Sequence, residues 1–114
     1  MKTLTVYKND GIILEKVGLA DKFFLRLKGL MFKKSLDFDS GLLIVPCNQI
    51  HTFCMKFSID VVYLDKNDNV VFVDEAVPPG KMCKMHRDAQ KVLELCSGKA
   101  ADAGFKVGDK LVLK

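Results

Sequence analysis

The chain has 114 residues, of which 49% are hydrophobic and 28% are charged, with a net charge of +4. These values exclude a disordered chain or a fibrous repeat and predict one globular domain over residues 1–114. No apolar run approaches the ~18 residues of a membrane-spanning helix, and residues 1–10 lack the apolar stretch of a secretory signal. We therefore expect a cytoplasmic protein with no membrane partner.

The predicted elements are mostly short strands. An Asp-Gly pair between two apolar runs indicates a hairpin of strands 4–7 and 12–17. Asp21 is expected to cap a helix over residues 21–28, because the apolar residues there recur at helical spacing. Further strands are predicted at residues 41–45, 50–55, 59–64, 70–74, 91–95 and 107–113, and a second short helix, capped by Ser97, at 97–103.

These elements define a fold class. Most neighbouring strands are joined by connections too short for helical crossovers, so the pairing is expected to be largely antiparallel. Strands 41–45 and 59–64 are apolar on both faces, and such strands need cover on each side. The sequence therefore predicts an α+β protein that is mostly β, with a curved antiparallel sheet or small barrel and one or two short helices.

The four cysteines do not indicate a metal site or a disulfide scaffold. Cys47, His51 and Cys54 resemble a set of zinc ligands, with Cys83 and His86 as further candidates. If residues 50–55 are extended, however, His51 and Cys54 point to opposite faces of the strand. We predict no bound metal, no cofactor and four reduced thiols.

The basic residues are scattered along the chain. The densest cluster, formed by Lys81, Lys84, Arg87 and Lys91, contains no aromatic side chain. Proteins that bind single-stranded nucleic acid place aromatic side chains among their cations. The sequence therefore does not favour nucleic acid as a partner, and it predicts a monomer or weak dimer.

Residues 51–60 form the strongest candidate site. In an extended segment His51, Phe53 and Met55 share one face, which suits a partly apolar pocket with a polar anchor. The alternative is a plain strand with Phe53 and Met55 in the core. His51 and Lys56 can contact one ligand only if the chain bends between them.

Several motifs resemble those of a prokaryotic family known as domain of unknown function 192. They include GLMFKKSL at 29–36, GLLIV at 41–45, HTF at 51–53 and VLEL at 92–95. The resemblance implies a small, mostly β fold and no established activity, cofactor or partner. The motif residues of the family include His51, Met55, Lys56, Asp60 and Glu94. Cys54 departs from the large aromatic residue that is common there.

Three functional hypotheses follow. The first is a binding module with a partly apolar pocket or groove for a small molecule or peptide, around His51 to Asp60 with Met31 and Phe32 as neighbours. The second is a small enzyme that uses His51 with Asp60 or Glu94 in acid/base chemistry. The third is a protein-interaction partner with an exposed apolar patch.

Overall fold

The computed structural model describes residues 1–114, which form seven strands and two short helices. Their bounds are β1 Thr3–Lys8, β2 Gly11–Ala20, α1 Phe23–Lys28, β3 Ser40–Ile44, β4 Ile59–Leu64, β5 Val70–Val77, β6 Lys91–Cys96, α2 Lys99–Ala103 and β7 Val112–Leu113. The strands form one curled, mixed sheet in the order β5-β4-β6-β3-β2-β1-β7, which makes a half-barrel. The predicted α+β class, mostly β with a curved sheet and two short helices, is confirmed.

Every strand pair is antiparallel except β2 and β3. These two run parallel, from Lys16 opposite Ser40 to Ala20 opposite Ile44. Parallel neighbours need a connection long enough to return along the sheet, and residues 21–39, which contain α1, provide it. The largely antiparallel pairing expected from the short connections is present with this one exception.

The predicted strand over residues 50–55 was wrong. β3 ends at Ile44, which lies opposite Val92, whereas β4 begins at Ile59, which lies opposite Cys96. Because these positions are at opposite ends of β6, the connection between them must run along the length of that strand. It crosses the sheet face and cannot pair as a strand within it.

The hydrogen bonds of this connection therefore go to the neighbouring connections. The Thr52 amide donates to the Lys81 carbonyl at 2.8 Å, and the Phe32 amide donates to the Cys54 carbonyl at 3.0 Å. The strict alternation expected of a strand is lost: Thr52 is buried, whereas Phe53 and Cys54 are exposed.

Three smaller features also differ from the prediction. α1 begins at Phe23 with no side-chain cap from Asp21, and Ser97 does not cap α2. The last strand is shortened to Val112–Leu113, because the chain turns at Gly108, where φ is +96°.

Each face of the sheet carries an apolar core. Side chains such as Leu43, Leu93 and Leu95 pack inside the curl against β1, β2 and α2. On the opposite side, which we call the covered face, Ile44, Tyr63 and other strand residues pack against residues from the connections 21–39, 45–58 and 78–90. Neither helix is long and apolar enough to cross a membrane.

Candidate functional site

A small cavity of about 60 Å³ lies between the covered face and the connections. We call it the inner cavity. Residues from α1 and the turn after it form one wall, and residues of the 45–58 connection form another. The side chains that matter for its chemistry are Arg26, Met31, Cys47, His51, Met55 and Glu94.

Four of the seven predicted site residues meet at this cavity. Met31, His51, Met55 and Glu94 line it although they come from three distant parts of the sequence. Phe53, Lys56 and Asp60 do not line it. The candidate site is thus centred on Glu94 and α1 rather than on a single extended segment from His51 to Asp60.

Glu94 lies in the middle of β6, opposite Leu42 on one side and Val61 on the other. It is 2% exposed, and its Oε1 atom makes no hydrogen bond to another protein atom. Burial raises the pKa of Glu94 to about 8. The side chain is therefore mainly a neutral carboxylic acid at pH 7, able to donate one hydrogen bond as well as accept others.

The backbone after α1 passes close to this carboxyl group. Gly29 has φ +50° and ψ −127°, a conformation that favours glycine. A Cβ atom at this position would lie 3.7 Å from Glu94 Oε1. The glycine therefore lets the chain turn from α1 into Leu30 directly above the buried acid.

The Arg26 side chain enters the same cavity from α1. Its Nη1 atom donates to the Pro46 carbonyl at 3.5 Å, but its buried Nε–H has no protein acceptor. No carboxylate oxygen, including those of Glu94, lies within ion-pair distance of Arg26. Two buried polar groups thus face one cavity without pairing with each other.

His51 is held at the rim by its own neighbour. The Phe53 amide donates to His51 Nδ1 at 3.1 Å, so the neutral ring carries its proton on Nε2. The Phe53 ring also stacks on the imidazole, with 5.1 Å between ring centroids. Phe53 therefore orients His51 and does not line the cavity itself.

Cys47 does not have the properties of a nucleophile. Burial raises the pKa of its thiol, and the Sγ atom donates to the Gln49 carbonyl at 3.2 Å. Burial likewise raises the pKa of Cys83. Both thiols stay protonated at neutral pH, and the thiolate is the form that attacks substrates and binds metals.

A wider opening adjoins the inner cavity. It has a volume of about 370 Å³ and is lined by Phe23, Leu27 and Pro46 among others. We call it the outer groove. Since Arg26, Leu27, Ile44, Cys47, Gln49 and His51 line both spaces, the outer groove leads into the inner cavity.

Asp60 has a different environment from Glu94. It is 1% exposed, and Oδ1 accepts the Ala76 amide at 2.9 Å while Oδ2 accepts the amides of Gly98 and Ala100 at 2.9 Å each. Asp60 pairs with Leu95 and shares its face of the sheet, away from the covered face. The carboxylate ties β4 to β5 and to the start of α2, and it is not placed to act with His51.

Lys56 and Phe32 are exposed and lie outside both the inner cavity and the outer groove. The sequence reasoning also missed Arg26, Cys47 and the apolar side chains of the groove. The helical spacing of apolar residues such as Phe23 and Leu27 predicted a helix, and in that helix their side chains are 65% and 56% exposed. An apolar helix face gives the same sequence signal whether it packs on a core or lines an open groove.

The four cysteines form no disulfide bond in the structure. No group of three or more His, Cys, Asp and Glu side chains is placed to hold a metal ion. Cys54, the departure from the family pattern, is exposed and has φ +62°.

The fold and the site define a small α+β half-barrel with a carboxyl group buried beneath its connections. The chain belongs to the DUF192 family, whose model, described as "Uncharacterized ACR", matches residues 5–113. The resemblance inferred from the sequence motifs is confirmed.

Curated relatives agree with this family, and a solved structure shares the fold. A UPF0127 protein from Pyrococcus horikoshii is 35% identical over 99 residues, which cover 84% of this chain and 85% of that protein. Another from Thermococcus sibiricus is 37% identical over 68 residues, covering 55% of this chain and 44% of that protein. The crystal structure of a protein of unknown function from Novosphingobium aromaticivorans has a TM-score of 0.83 at 23% identity, over 96% of this chain and 83% of that one. This last similarity shows the fold alone.

Proposed function

We propose that the chain is a binding module for an apolar small molecule or peptide segment that carries a carbonyl or carboxylate group. The apolar part of the ligand occupies the outer groove, and the acceptor group enters the inner cavity. One observation carries this proposal: Glu94 is buried with an unpartnered carboxyl oxygen at a cavity that opens into a partly apolar groove.

The hydrogen-bonding groups of the inner cavity favour an acceptor. Arg26 offers an unused Nε–H, the neutral His51 ring carries a proton on Nε2, and Glu94 has an acidic O–H at neutral pH. A buried donor without an acceptor costs stability, so a ligand that supplies acceptors gains by pairing with these groups. A cationic head group would also lie beside Arg26 and Lys28, which repel it.

The volumes of the inner cavity and the outer groove favour a ligand with a small polar head group and a larger apolar body. A space of about 60 Å³ suits a small polar group rather than the body of a ligand, since one water needs roughly 10–15 Å³ of cavity volume. The outer groove, at about 370 Å³, is within the size range of small-molecule sites. Phe23 and Leu27 there supply apolar surface for the body of the ligand.

Octanoate is a suitable probe, with octylamine as the matched compound of opposite charge. Amide NMR shifts at pH 6.5 should report octanoate at His51, Gln49 and Glu94, and octylamine should leave those signals unchanged. Calorimetry should show octanoate affinity falling about tenfold from pH 6.5 to pH 9, as Glu94 ionises and repels the acceptor.

The Glu94→Gln variant keeps a hydrogen-bond donor but cannot ionise, so its affinity should not depend on this pH change. Asp102→Asn, which removes an exposed carboxylate from α2, is the matched control and should behave like the wild type. Binding of octylamine in place of octanoate, or shifts only outside the cavity, would reject the proposal.

A second candidate is acid/base catalysis by His51 and Glu94, favoured because both line the inner cavity. An acid with a pKa of about 8 is suited to proton transfer near neutral pH. In that case His51→Gln and Glu94→Gln would abolish turnover of a bound compound, followed by mass spectrometry, while leaving its binding intact. A binding module returns each compound unchanged.

A further inference from the structure

The three connections that cover the sheet are joined to one another. The Phe32 amide donates to the Cys54 carbonyl at 3.0 Å, which links the first connection to the second. A bridge between His51 and Met82 links the second to the third. The exposed side chains of residues 22–36, 46–58 and 78–87 therefore share one surface, which we call the crossover surface.

Cations predominate in the three sequence segments that form this surface, although Asp37 lines one cavity with Lys28 and Lys33. The three segments contain nine Lys and Arg residues and no Asp or Glu, although the chain as a whole has 18 cations and 14 acidic residues. The acidic residues of the same connections, Asp21, Asp37, Asp39 and Asp88, lie at their ends, outside the three segments. The two ion pairs of the chain, Lys8–Asp109 and Lys91–Asp68, involve none of the nine cations.

Large apolar side chains are exposed among these cations. Seven of the thirteen exposed large hydrophobic residues belong to the crossover surface: Phe23, Phe24, Leu27, Phe32, Phe53, Met82 and Met85. Phe24 is 78% exposed and Phe32 is 63% exposed. Phe32 also has φ +66°, an unfavourable conformation for a bulky residue, at a position where its ring gains no burial.

We propose, in place of the sequence-based expectation of no membrane partner, that the crossover surface docks on the surface of an anionic lipid bilayer. Clustered Lys and Arg residues are attracted to anionic head groups, and protruding Phe and Leu side chains enter the boundary between head groups and acyl chains. The crossover surface carries both kinds of side chain. Its cations can contact the anionic head groups while its exposed apolar side chains enter the boundary with the acyl chains. The remainder of the chain, with nine cations and fourteen acidic residues, is repelled by the same membrane and faces away.

The apolar composition favours lipid over nucleic acid. Single-stranded nucleic acid is held by aromatic rings that stack on its bases. Leu27, Met82 and Met85 have no ring to stack, yet their side chains are 47–57% exposed. A bilayer accepts aliphatic and aromatic side chains alike.

Co-sedimentation with vesicles tests the proposal. One set of vesicles contains only phosphatidylcholine, and the other also contains 30% phosphatidylglycerol. The wild-type chain should sediment with the anionic vesicles and not with the neutral ones. Raising the salt concentration should weaken this binding, because the electrostatic part is screened.

Variants separate the apolar and the electrostatic contributions to vesicle binding. They change no residue that lines the inner cavity or the outer groove. Phe24→Ser with Phe32→Ser, and separately Lys33→Gln with Lys34→Gln, should each reduce vesicle binding about tenfold. The matched controls are Ile12→Ser with Val107→Ser, and Lys66→Gln with Lys106→Gln, which alter exposed residues elsewhere. These controls should bind within about twofold of the wild type.

Three results would overturn the proposal. The first is equal binding to neutral and anionic vesicles, or binding to neither. The second is binding of single-stranded DNA that the same Phe and Lys variants abolish, without vesicle binding. The third is a dimer in solution that the Phe variants dissociate, again without vesicle binding, which would make this surface an interface between copies of the chain.

Discussion

Replacing Glu94 by Gln tests the central physical feature of the candidate site, an acid that is buried in its neutral form. Burial raises the pKa of Glu94 from 4.5 to about 8 in the folded chain. Between these values the folded protein holds a proton that the unfolded chain has released. The contribution of Glu94 protonation to the free energy of unfolding is therefore fully present below pH 4.5 and is lost as the pH rises through 8.

The size of the effect follows from the two pKa values. One pKa unit corresponds to about 1.36 kcal/mol. From pH 5 to pH 8 this group alone should lower the free energy of unfolding by about 3–4 kcal/mol. Glu94→Gln has nearly the same shape and no charge, so it should lose this part of the pH dependence and become more stable than the wild type at pH 9.

Urea unfolding followed by circular dichroism at pH 5 and pH 8 measures the difference. The quantity to compare is the pH-dependent loss of stability in the wild type minus that in the variant, because other titrating groups cancel. Asp102→Asn, at an exposed site, serves as the control and should retain the wild-type pH dependence. Equal pH dependence in the wild type and Glu94→Gln would refute the assignment of a buried neutral acid.

Three further predictions concern single positions. Asp60→Asn should lower the free energy of unfolding by about 2–3 kcal/mol, measured by urea titration, because an amide replaces a carboxylate that accepts three backbone N–H groups; octanoate affinity should not change. Gly29→Ala should cost about 1–2 kcal/mol in the same assay, since a residue with a Cβ is strained at φ +50°. In the folded protein Cys54 should be alkylated first by iodoacetamide, as identified by peptide mass spectrometry, because Cys83 is buried and burial raises its pKa.

Each of these has an outcome that contradicts it. A large loss of octanoate affinity with little loss of stability in Asp60→Asn would show that Asp60 belongs to the candidate site. An unchanged free energy of unfolding in Gly29→Ala would mean that the turn above Glu94 relaxes without strain. Alkylation of Cys83 before Cys54 would show that the 78–90 connection opens readily.

The fold class could be predicted from the sequence because the patterns that indicate it are local. A turn such as Asp10-Gly11 and the alternation of apolar residues depend only on neighbouring positions. The parallel pairing of β2 and β3 and the path of residues 45–58 depend on where distant strands lie. Residues 50–55 have the composition of a strand, but their partners come from the Lys81 region, 29 positions from Thr52.

The candidate site could be predicted from the sequence only in part, because it also depends on where distant segments lie. Met31, His51, Met55 and Glu94 were identified by residue type and by the family motifs, and the fold brings them to one cavity. The contribution of Arg26 was missed, because a cation on a short helix is ordinarily solvated. Nothing in the sequence shows that its Nε is buried at the cavity that Glu94 also lines.

Asp60 and Glu94 illustrate what separates a structural carboxyl group from a candidate binding group. Both lie in central, apolar strands, and the register places Asp60 opposite Leu95, one position from Glu94. This offset of one residue sends the two side chains to opposite faces of the sheet. Asp60 accepts three backbone amides there, so burial of its charge is compensated within the fold.

Glu94 has no such compensation. Its neighbours on the covered face, such as Leu42 and Val61, would pack equally well around an apolar side chain at this position. The fold therefore gains nothing from an unpartnered acid that titrates near pH 8 and destabilises the protein above it. This uncompensated burial is the physical reason for placing the acceptor group of the proposed ligand beside Glu94, where the adjoining cavity gives it access.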